Sequence, residues 1–252
     1  MTDPSTTELD HAARLKRMAR AADYPLTLWL INPINRQLVR PLTRMGVSPN
    51  AVTGMSFVVG IFAAAAMAFA AMRTPWALVV APVLVFVSHL LDALDGDLAR
   101  YSDQKSLFGE MVDPALDRAR EFAYVAGVTV GLAEIGNVAA WQAGLACLGA
   151  TQLYYYTADA QIARLLKTKA NELARYDVTL KGRGGTRMKL GLYEPFMYGL
   201  VGLLVIGFGF EALWFFAAAF GAGWVRQVFK MRKRAAAQEA ATAAERAGEG
   251  AP

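Results

Sequence analysis

Two apolar runs of this chain are bordered by aspartates, and this pattern limits the fold more than any other feature. The first run covers residues 76–91 and leads into Asp92 and Asp95, whereas Asp113 and Asp117 open the next run. Apolar runs of about 20 residues are typical of helices that cross a membrane. A carboxylate at membrane depth costs free energy and usually has a function. The four aspartates therefore indicate a functional site at one end of two membrane helices.

Composition indicates a membrane protein built from helices. Hydrophobic residues make up 55% of the 252 residues and are gathered into long runs. The net charge of +5 does not indicate a nucleic-acid partner, because Lys and Arg lie at the ends of the apolar runs, where they act as topology determinants. The single cysteine, Cys147, excludes an intramolecular disulfide and does not match a thiolate metal site.

The hydrophobic pattern predicts an all-α polytopic membrane protein with six transmembrane helices after an N-terminal cytoplasmic interfacial helix. Arg36, Arg40 and Arg44 form one basic row, which suits a helix lying in the membrane interface. The predicted parts are a polar basic segment (1–23), the interfacial amphipathic helix (24–47), a six-helix transmembrane catalytic domain (48–231) and a polar, disordered C-terminal tail (232–252). The predicted spans are 50–72, 75–100, 106–132, 138–158, 193–208 and 211–229.

Loop charges predict the orientation of these spans. The connections 73–75, 133–137 and 209–211 carry one basic residue between them, while the N-terminal segment and the loops on the other side are rich in Lys and Arg. Basic loops stay in the cytoplasm. We therefore expect both termini and the aspartates on the cytoplasmic side, in the cell membrane of a prokaryote.

The spacing of the aspartates predicts a metal site. A short loop centred near Gln104 joins the second and third spans; Asp95 and Asp113 are equidistant from it, and so, within one residue, are Asp92 and Asp117. At about 1.5 Å of rise per residue the two pairs meet at matching depths. Four converging carboxylates repel one another unless a cation neutralises them. Oxygen ligands without His or Cys favour Mg²⁺ or Mn²⁺; we expect two ions, with one as the alternative.

The residues around this cluster form a specific motif. It runs Asp92-x-x-Asp95-Gly96-x-x-Ala99-Arg100, then eight residues, then Gly109-x-x-x-Asp113-x-x-x-Asp117. The motif resembles the signature of the CDP-alcohol phosphotransferases, with every position present, and that family's six-helix architecture matches the predicted spans. The resemblance implies transfer of a phosphatidyl or similar group from a CDP-linked lipid such as CDP-diacylglycerol to an alcohol in phospholipid biosynthesis, with release of CMP. It also implies a homodimer.

The resemblance further implies a role for each residue of the motif. Asp117 would be the catalytic general base for the acceptor hydroxyl. The metal ligands would be Asp92, Asp95, Asp113 and Asp117. The donor nucleotide would be bound by Asp92, Gly96, Ala99, Arg100 and Gly109. The candidates for binding the acceptor are Arg118, Glu194 and Arg164.

The acceptor alcohol is not identified by the motif. Family branches with phosphorylated acceptors carry a Ser-Tyr-x-Lys-Ala-Arg-like segment near the cytoplasmic end of the fourth helix. Here residues 152–164 contain three consecutive tyrosines, and the Lys and paired Arg are missing. This difference counts against an inositol phosphate or glycerol phosphate acceptor. Lys181 and Arg183 of the long loop suit a phosphate, but basic cytoplasmic loops explain them equally well.

Several alternatives compete with an enzyme. A cation transporter would also use buried carboxylates, but it predicts acidic residues across the whole membrane, and here they cluster on two helices. A polyprenyl transferase would carry its Asp-rich motifs in separate halves of a larger bundle. In a purely structural alternative, the aspartates would form ion pairs with Arg100, Arg118 and Arg120 that only hold the two helices together. By helical spacing, Asp97 and Glu110 face away from the cluster, so we expect them at solvent or headgroups.

Overall fold

The computed structural model describes residues 4–18, 23–158, 178–181 and 187–249, and these are mostly helical. The helices are α1 (Pro4–Arg17), α2 (Asn32–Arg44), α3 (Pro49–Ala71), α4 (Ala77–Ser102), α5 (Leu107–Glu134), α6 (Ala140–Ala158), α7 (Tyr193–Val205) and α8 (Gly209–Glu249). A π-helical turn, Thr27–Ile31, precedes α2. Strands β1 (Val178–Lys181) and β2 (Arg187–Leu190) form an antiparallel pair.

Each of the six predicted spans coincides with one of the helices α3 to α8, but not all of these helices have the composition of a membrane span. Among the described residues, α3, α4 and residues Gly209–Ala237 of α8 are long and apolar enough to cross a membrane. Helix α7 is apolar but shorter. Charged side chains in the first half of α5 and polar ones in α6 lower the hydropathy of these two helices. Length and composition therefore support three spans where the sequence analysis expected six.

The C-terminal region differs from its prediction. Helix α8 continues to Glu249, so the expected disordered tail at 232–252 is wrong for residues 232–249. This stretch is rich in Ala, Arg, Glu and Gln, which have high intrinsic helix propensity. The end of the apolar run predicts the end of the membrane span, but a helix can continue beyond its apolar part.

The helix pair that carries the aspartates is defined by signals at its ends. Helix α4 ends at Asp103, whose left-handed backbone (φ 59°) turns the chain back. Ser106 caps α5, because its side chain accepts a hydrogen bond from Gly109 N at 3.0 Å. The short connection joins α4 to α5, and α3 packs against both helices. This arrangement brings the two halves of the motif together.

Helix α3 approaches α5 closely because the contact is made by small residues. A Cβ atom at Gly127 would lie 2.2 Å from the Ala64 carbonyl oxygen, and one at Gly131 would lie 2.1 Å from that of Ala68. Small residues let helix backbones pack this closely in membranes. The contact fixes α5, and with it the second half of the motif, against the bundle.

We expect Gly127→Ala to destabilise the protein, because the added methyl group meets backbone that has little room to move. Overpacking of this kind costs about 1–3 kcal/mol. Thermal unfolding in detergent should show a lower midpoint for this variant. The matched control is Gly54→Ala on α3, where a Cβ atom has nothing within 4 Å and should not lower the midpoint. Equal midpoints for the two variants would contradict the tight contact.

Candidate functional site

Three of the four predicted aspartates bring their carboxylates together at the neighbouring ends of α4 and α5. One carboxylate oxygen each from Asp92, Asp95 and Asp113 lies within 4.8 Å of the others. Asp92 and Asp95 share one face of α4, since they are three residues apart, and Asp113 faces them from α5. The predicted convergence of the two helices is therefore confirmed for these three residues, which we call the aspartate cluster.

The aspartate cluster fits a hard divalent cation. Asp95 is 5% exposed, and its buried Oδ2 atom has no hydrogen-bond partner among the described residues. A buried carboxylate oxygen without a partner is costly. The cluster offers carboxylate oxygens alone, which is the ligand set that Mg²⁺ and Mn²⁺ prefer. A cation of this class would satisfy the orphaned oxygen.

The fourth aspartate, Asp117, has a different partner. Its Oδ1 atom accepts a hydrogen bond from Arg120 Nη2, and the same nitrogen donates to Asp92 Oδ1 at 3.1 Å. Asp117 lies one helical turn after Asp113 on α5 and is 22% exposed. Asp117 thus borders the aspartate cluster and is joined to it through the arginine.

Arg120 is buried at the centre of the bundle, with 2% of its surface exposed. Its Nη1 atom donates to Ser56 Oγ on α3 at 2.7 Å and to Ser88 Oγ on α4 at 3.3 Å. Gly60 on α3 leaves room for the side chain, because a Cβ atom there would lie 2.6 Å from Arg120 Cδ. From the sequence, Arg120 is expected only as a member of a structural network. The available signal was its position three residues after Asp117, which puts both on one face of α5.

The predicted donor-binding residues lie on α4 and at the start of α5. Gly96 and Ala99 are half-buried on α4, and a Cβ atom at Gly109 would come within 3.2 Å of Asn50 Oδ1. Arg100, near the end of α4, keeps 24% of its side chain exposed. All four residues therefore lie on the helix ends that carry the aspartate cluster.

Asp97 is not at solvent or headgroups, so that prediction is wrong. It is 2% exposed; its Oδ1 atom accepts from Arg100 Nη2 at 2.6 Å and its Oδ2 atom from Asn35 Nδ2 at 2.9 Å. Helix α2 packs against α4 and supplies this asparagine. The helical spacing was correct in directing Asp97 away from the cluster, but it gave no information on the neighbouring helix. The contact links helix α2 to Arg100 through Asp97.

The acceptor candidates have partners within the protein. Arg118 Nη1 pairs with Glu121 Oε2 at 2.7 Å, and its guanidinium carbon lies 3.3 Å from the ring centroid of Tyr155. Glu194 is 6% exposed and accepts hydrogen bonds from the backbone N of Leu26 and from both the backbone N and the hydroxyl of Thr27. These bonds anchor the π-helical turn to α7. Arg164 lies outside the described residues.

A cavity of about 870 Å³ opens beside Glu194, between the segment before the π-helical turn and helices α7 and α8. Its walls are mostly apolar, with Leu26, Pro195 and Ala222 among them, and Lys189 contributes to its lining. Tyr198 on the wall is hydrogen-bonded at 2.7 Å to Nδ1 of His89, which is one turn before Asp92 on α4. The cavity is therefore linked to the helix that carries the aspartate cluster.

The chain is similar to several known proteins. The chain is 29% identical over 214 residues to a phosphatidylinositol phosphate synthase from Streptomyces avermitilis, covering 83% of this chain and 82% of that protein. Among solved structures, it is similar to the phosphatidylinositol phosphate synthase of Mycobacterium tuberculosis with CDP-DAG bound, with a TM-score of 0.60, 19% identity and coverage of 79% of this chain and 94% of that one. The same enzyme in complex with manganese and citrate has a TM-score of 0.58 at 19% identity, with coverage of 77% of this chain and 87% of that one.

The two solved structures support only the fold, because their sequence identity to this chain is low. The family assignment comes from a match over residues 46–182 to the model of the CDP-alcohol phosphatidyltransferase family. The matched region is more than half of the chain and contains the whole aspartate motif. The chain therefore belongs to the CDP-alcohol phosphatidyltransferase family.

Proposed function

We propose that the protein transfers a phosphatidyl or similar substituted phosphoryl group from a CDP-linked lipid, such as CDP-diacylglycerol, to an alcohol, and that it releases CMP. The observation that carries this proposal is the aspartate cluster, in which a buried oxygen of Asp95 lacks a partner among the described residues. The family assignment gives the reaction class. The related M. tuberculosis structure with CDP-DAG bound supports a CDP-linked lipid as donor.

The metal would be Mg²⁺ or Mn²⁺, held by Asp92, Asp95 and Asp113. Manganese is bound in one of the related M. tuberculosis structures, which supports this choice. When bound, such an ion supplies positive charge that neutralises the pyrophosphate oxygens of the donor. The sequence predicts two ions. The contacts described above support one ion on these three residues.

Protein side chains would take the proton of the acceptor and orient the donor. Asp117 accepts the proton of the acceptor hydroxyl, whose oxygen forms a bond to the lipid-bearing phosphorus. The bond from this phosphorus to the bridging oxygen breaks, and CMP leaves. Arg100 orients the donor phosphates. It is held by Asp97, which in turn accepts a hydrogen bond from Asn35. Positioning and charge stabilisation account for most of the catalysis of phosphoryl transfer.

The bilayer would surround helices α3 to α8 as six spans, with the aspartate cluster on the cytoplasmic side of a prokaryotic cell membrane. Helices α5, α6 and α7 are less suited to lipid by composition, but they pack against α3, α4 and α8, which shield part of their surface. Residues 24–47 would lie in the interface, and the apolar cavity beside Glu194 suits an acyl chain of the donor. The division into residues 1–23, 24–47 and 48–231 and the homodimer remain predictions.

Two of the candidate acceptor-binding residues, Arg118 and Glu194, already have partners within the protein. Arg118 is paired with Glu121 and stacked on Tyr155, so part of its charge is already compensated. Glu194 has three hydrogen bonds from residues 26 and 27 and is better suited to anchoring than to binding an acceptor. Arg118 and Arg164 stay candidates for the acceptor site. The acceptor alcohol is identified by comparing the activity of the protein with different alcohols.

The experiment that tests the proposal supplies the purified protein with CDP-diacylglycerol, Mg²⁺ or Mn²⁺ and one acceptor at a time. The panel contains serine, glycerol phosphate, inositol, inositol phosphate, choline and ethanolamine, and the readout is release of CMP. We expect release with at least one acceptor and loss of this release when EDTA is added. If a protein that binds Mn²⁺ released no CMP with any of them, the proposed transfer to these alcohols would be wrong.

A further inference from the structure

Asn35 is a buried polar residue on the side of helix α2 that packs against α4. We infer that Asn35 is a positioning residue for donor binding, because it holds Asp97 and thereby Arg100 in the orientation that the donor phosphates require. The inference rests on the proposed function, in which Arg100 orients these phosphates. It gives helix α2, which lies outside the aspartate motif, a part in binding the CDP-linked lipid.

The burial of Asn35 is costly for the protein. Its Nδ2 atom donates to Asp97 Oδ2 at 2.9 Å, but its Oδ1 atom has no hydrogen-bond partner among the described residues. A buried polar atom without a partner costs free energy. Val39, one turn further along α2, is packed in a hydrophobic cluster, so this face of the helix is otherwise apolar. Stability alone does not explain an asparagine at this position, and its contact with Asp97 does.

Asp97 is held between two side chains. Its Oδ2 atom accepts a hydrogen bond from Asn35, and its Oδ1 atom accepts one from Arg100 Nη2 at 2.6 Å. A hydrogen bond to each oxygen fixes the plane of the carboxylate, and supporting residues of this kind determine how precisely a binding residue is placed. Loss of the bond from Asn35 removes one of these two restraints.

Arg100 needs such support because its side chain is long and 24% of it is exposed. A flexible side chain loses conformational freedom when it binds a ligand, and this loss weakens binding. The contact with Asp97 imposes part of the order before the donor arrives. Since Asn35 is completely buried, it acts on donor affinity through Asp97 and Arg100 and not by touching the donor.

The end of α4 is also fixed by contacts other than the hydrogen bond from Asn35. Leu94 and Leu98 on α4 belong to one hydrophobic cluster with Val52 on α3 and Val39 on α2. Replacement of Asn35 should therefore change the orientation of its polar partners without displacing the helix. A change in donor affinity can then be separated from a loss of fold.

The test compares the donor affinity of Asn35→Leu with that of the wild-type full-length protein. Leucine has nearly the shape of asparagine but cannot donate a hydrogen bond. Isothermal titration calorimetry with CDP-diacylglycerol in detergent should give a dissociation constant about three- to tenfold higher for the variant. The value of kcat at saturating donor should stay within about twofold of wild type, because Asp117 and the aspartate cluster are unchanged. An increase of less than about threefold in the dissociation constant would overturn the inference.

The matched control is Gln37→Leu, which also replaces an amide by leucine on α2. Gln37 is exposed, so this variant should keep the wild-type donor affinity. An equal loss of affinity in Gln37→Leu and Asn35→Leu would overturn the inference, because the effect would then not depend on the buried contact with Asp97.

A double-mutant cycle tests the route through Arg100. Arg100→Met removes the guanidinium and should weaken donor binding by itself. In this background, Asn35→Leu should change the dissociation constant by no more than about twofold. A further loss as large as that in the wild-type background would overturn the inference. If Asn35→Leu does not elute as a single species in size-exclusion chromatography, the near-isosteric Asp97→Asn decides: it should weaken donor binding in the wild-type background and not in Arg100→Met.

The wild-type protein distinguishes failure of this inference from failure of the proposed function. Donor binding without CMP release from any acceptor would count against the transfer reaction alone, and the variants would still decide the role of Asn35. CMP release by a wild-type protein whose donor affinity equals that of Asn35→Leu would overturn only the inference. A wild-type protein that binds no CDP-diacylglycerol would overturn both.

Discussion

Asp95→Asn is expected to abolish CMP release and Mn²⁺ binding together. Asp95 is almost completely buried, and its unpartnered Oδ2 atom lies in the aspartate cluster. An amide offers one neutral oxygen in place of an anionic carboxylate and adds donor hydrogens that face the ion. A bound metal supplies several kcal/mol of transition-state stabilisation, so we expect a rate reduction of at least about a thousandfold.

The matched control is Asp103→Asn, which makes the same chemical change at the end of the same helix. Asp103 is exposed and has a left-handed backbone, which asparagine tolerates well. This variant should keep wild-type CMP release and Mn²⁺ affinity. Both proteins should elute as a single species in size-exclusion chromatography, so that loss of activity is not loss of fold. Turnover by Asp95→Asn above a tenth of the wild-type rate would contradict a metal-binding role.

Asp117→Asn is expected to separate donor binding from transfer. The asparagine keeps the shape of the side chain and can still accept a hydrogen bond from Arg120, but it cannot take a proton from the acceptor. Loss of a general base typically costs about 10²–10⁴ in rate. We expect this reduction in kcat, with the dissociation constant for CDP-diacylglycerol within about threefold of wild type.

Two measurements on that variant decide the role of Asp117. The rate of CMP release is measured at saturating acceptor, and donor affinity is measured by isothermal titration calorimetry in detergent. Turnover within tenfold of wild type would remove Asp117 from the role of base. A large loss of donor affinity would instead make Asp117 a donor-binding residue.

The sequence was sufficient to predict the position of the site and the helices that carry it. The loop near Gln104 and the equal spacing of Asp95 and Asp113 depend on local helix geometry, which is why their convergence could be predicted. The six apolar runs likewise matched helices α3 to α8. Signals that are local in the chain were therefore sufficient to predict these helices and the aspartate cluster.

The features that could not be predicted depend on contacts between distant parts of the chain. The partners of Arg120 come from α3, α4 and α7, and nothing near residue 120 in the sequence indicates them. The burial of Asp97 could not be predicted because its partner Asn35 lies on α2, 62 residues away in the sequence. Glu194 is a predicted acceptor-binding residue, whereas its hydrogen bonds go to residues 26 and 27.

The central claim is that the aspartate cluster uses a divalent ion to transfer a lipid-bearing phosphoryl group from a CDP-linked donor to an alcohol. The most direct test measures CMP and the new phospholipid together, in one reaction of the purified protein with CDP-diacylglycerol and the acceptor panel. We expect equal amounts of CMP and lipid product, formed only with Mg²⁺ or Mn²⁺ and an acceptor, and none with Asp95→Asn. CMP formed without any lipid product, or product formed equally well by Asp95→Asn, would contradict it.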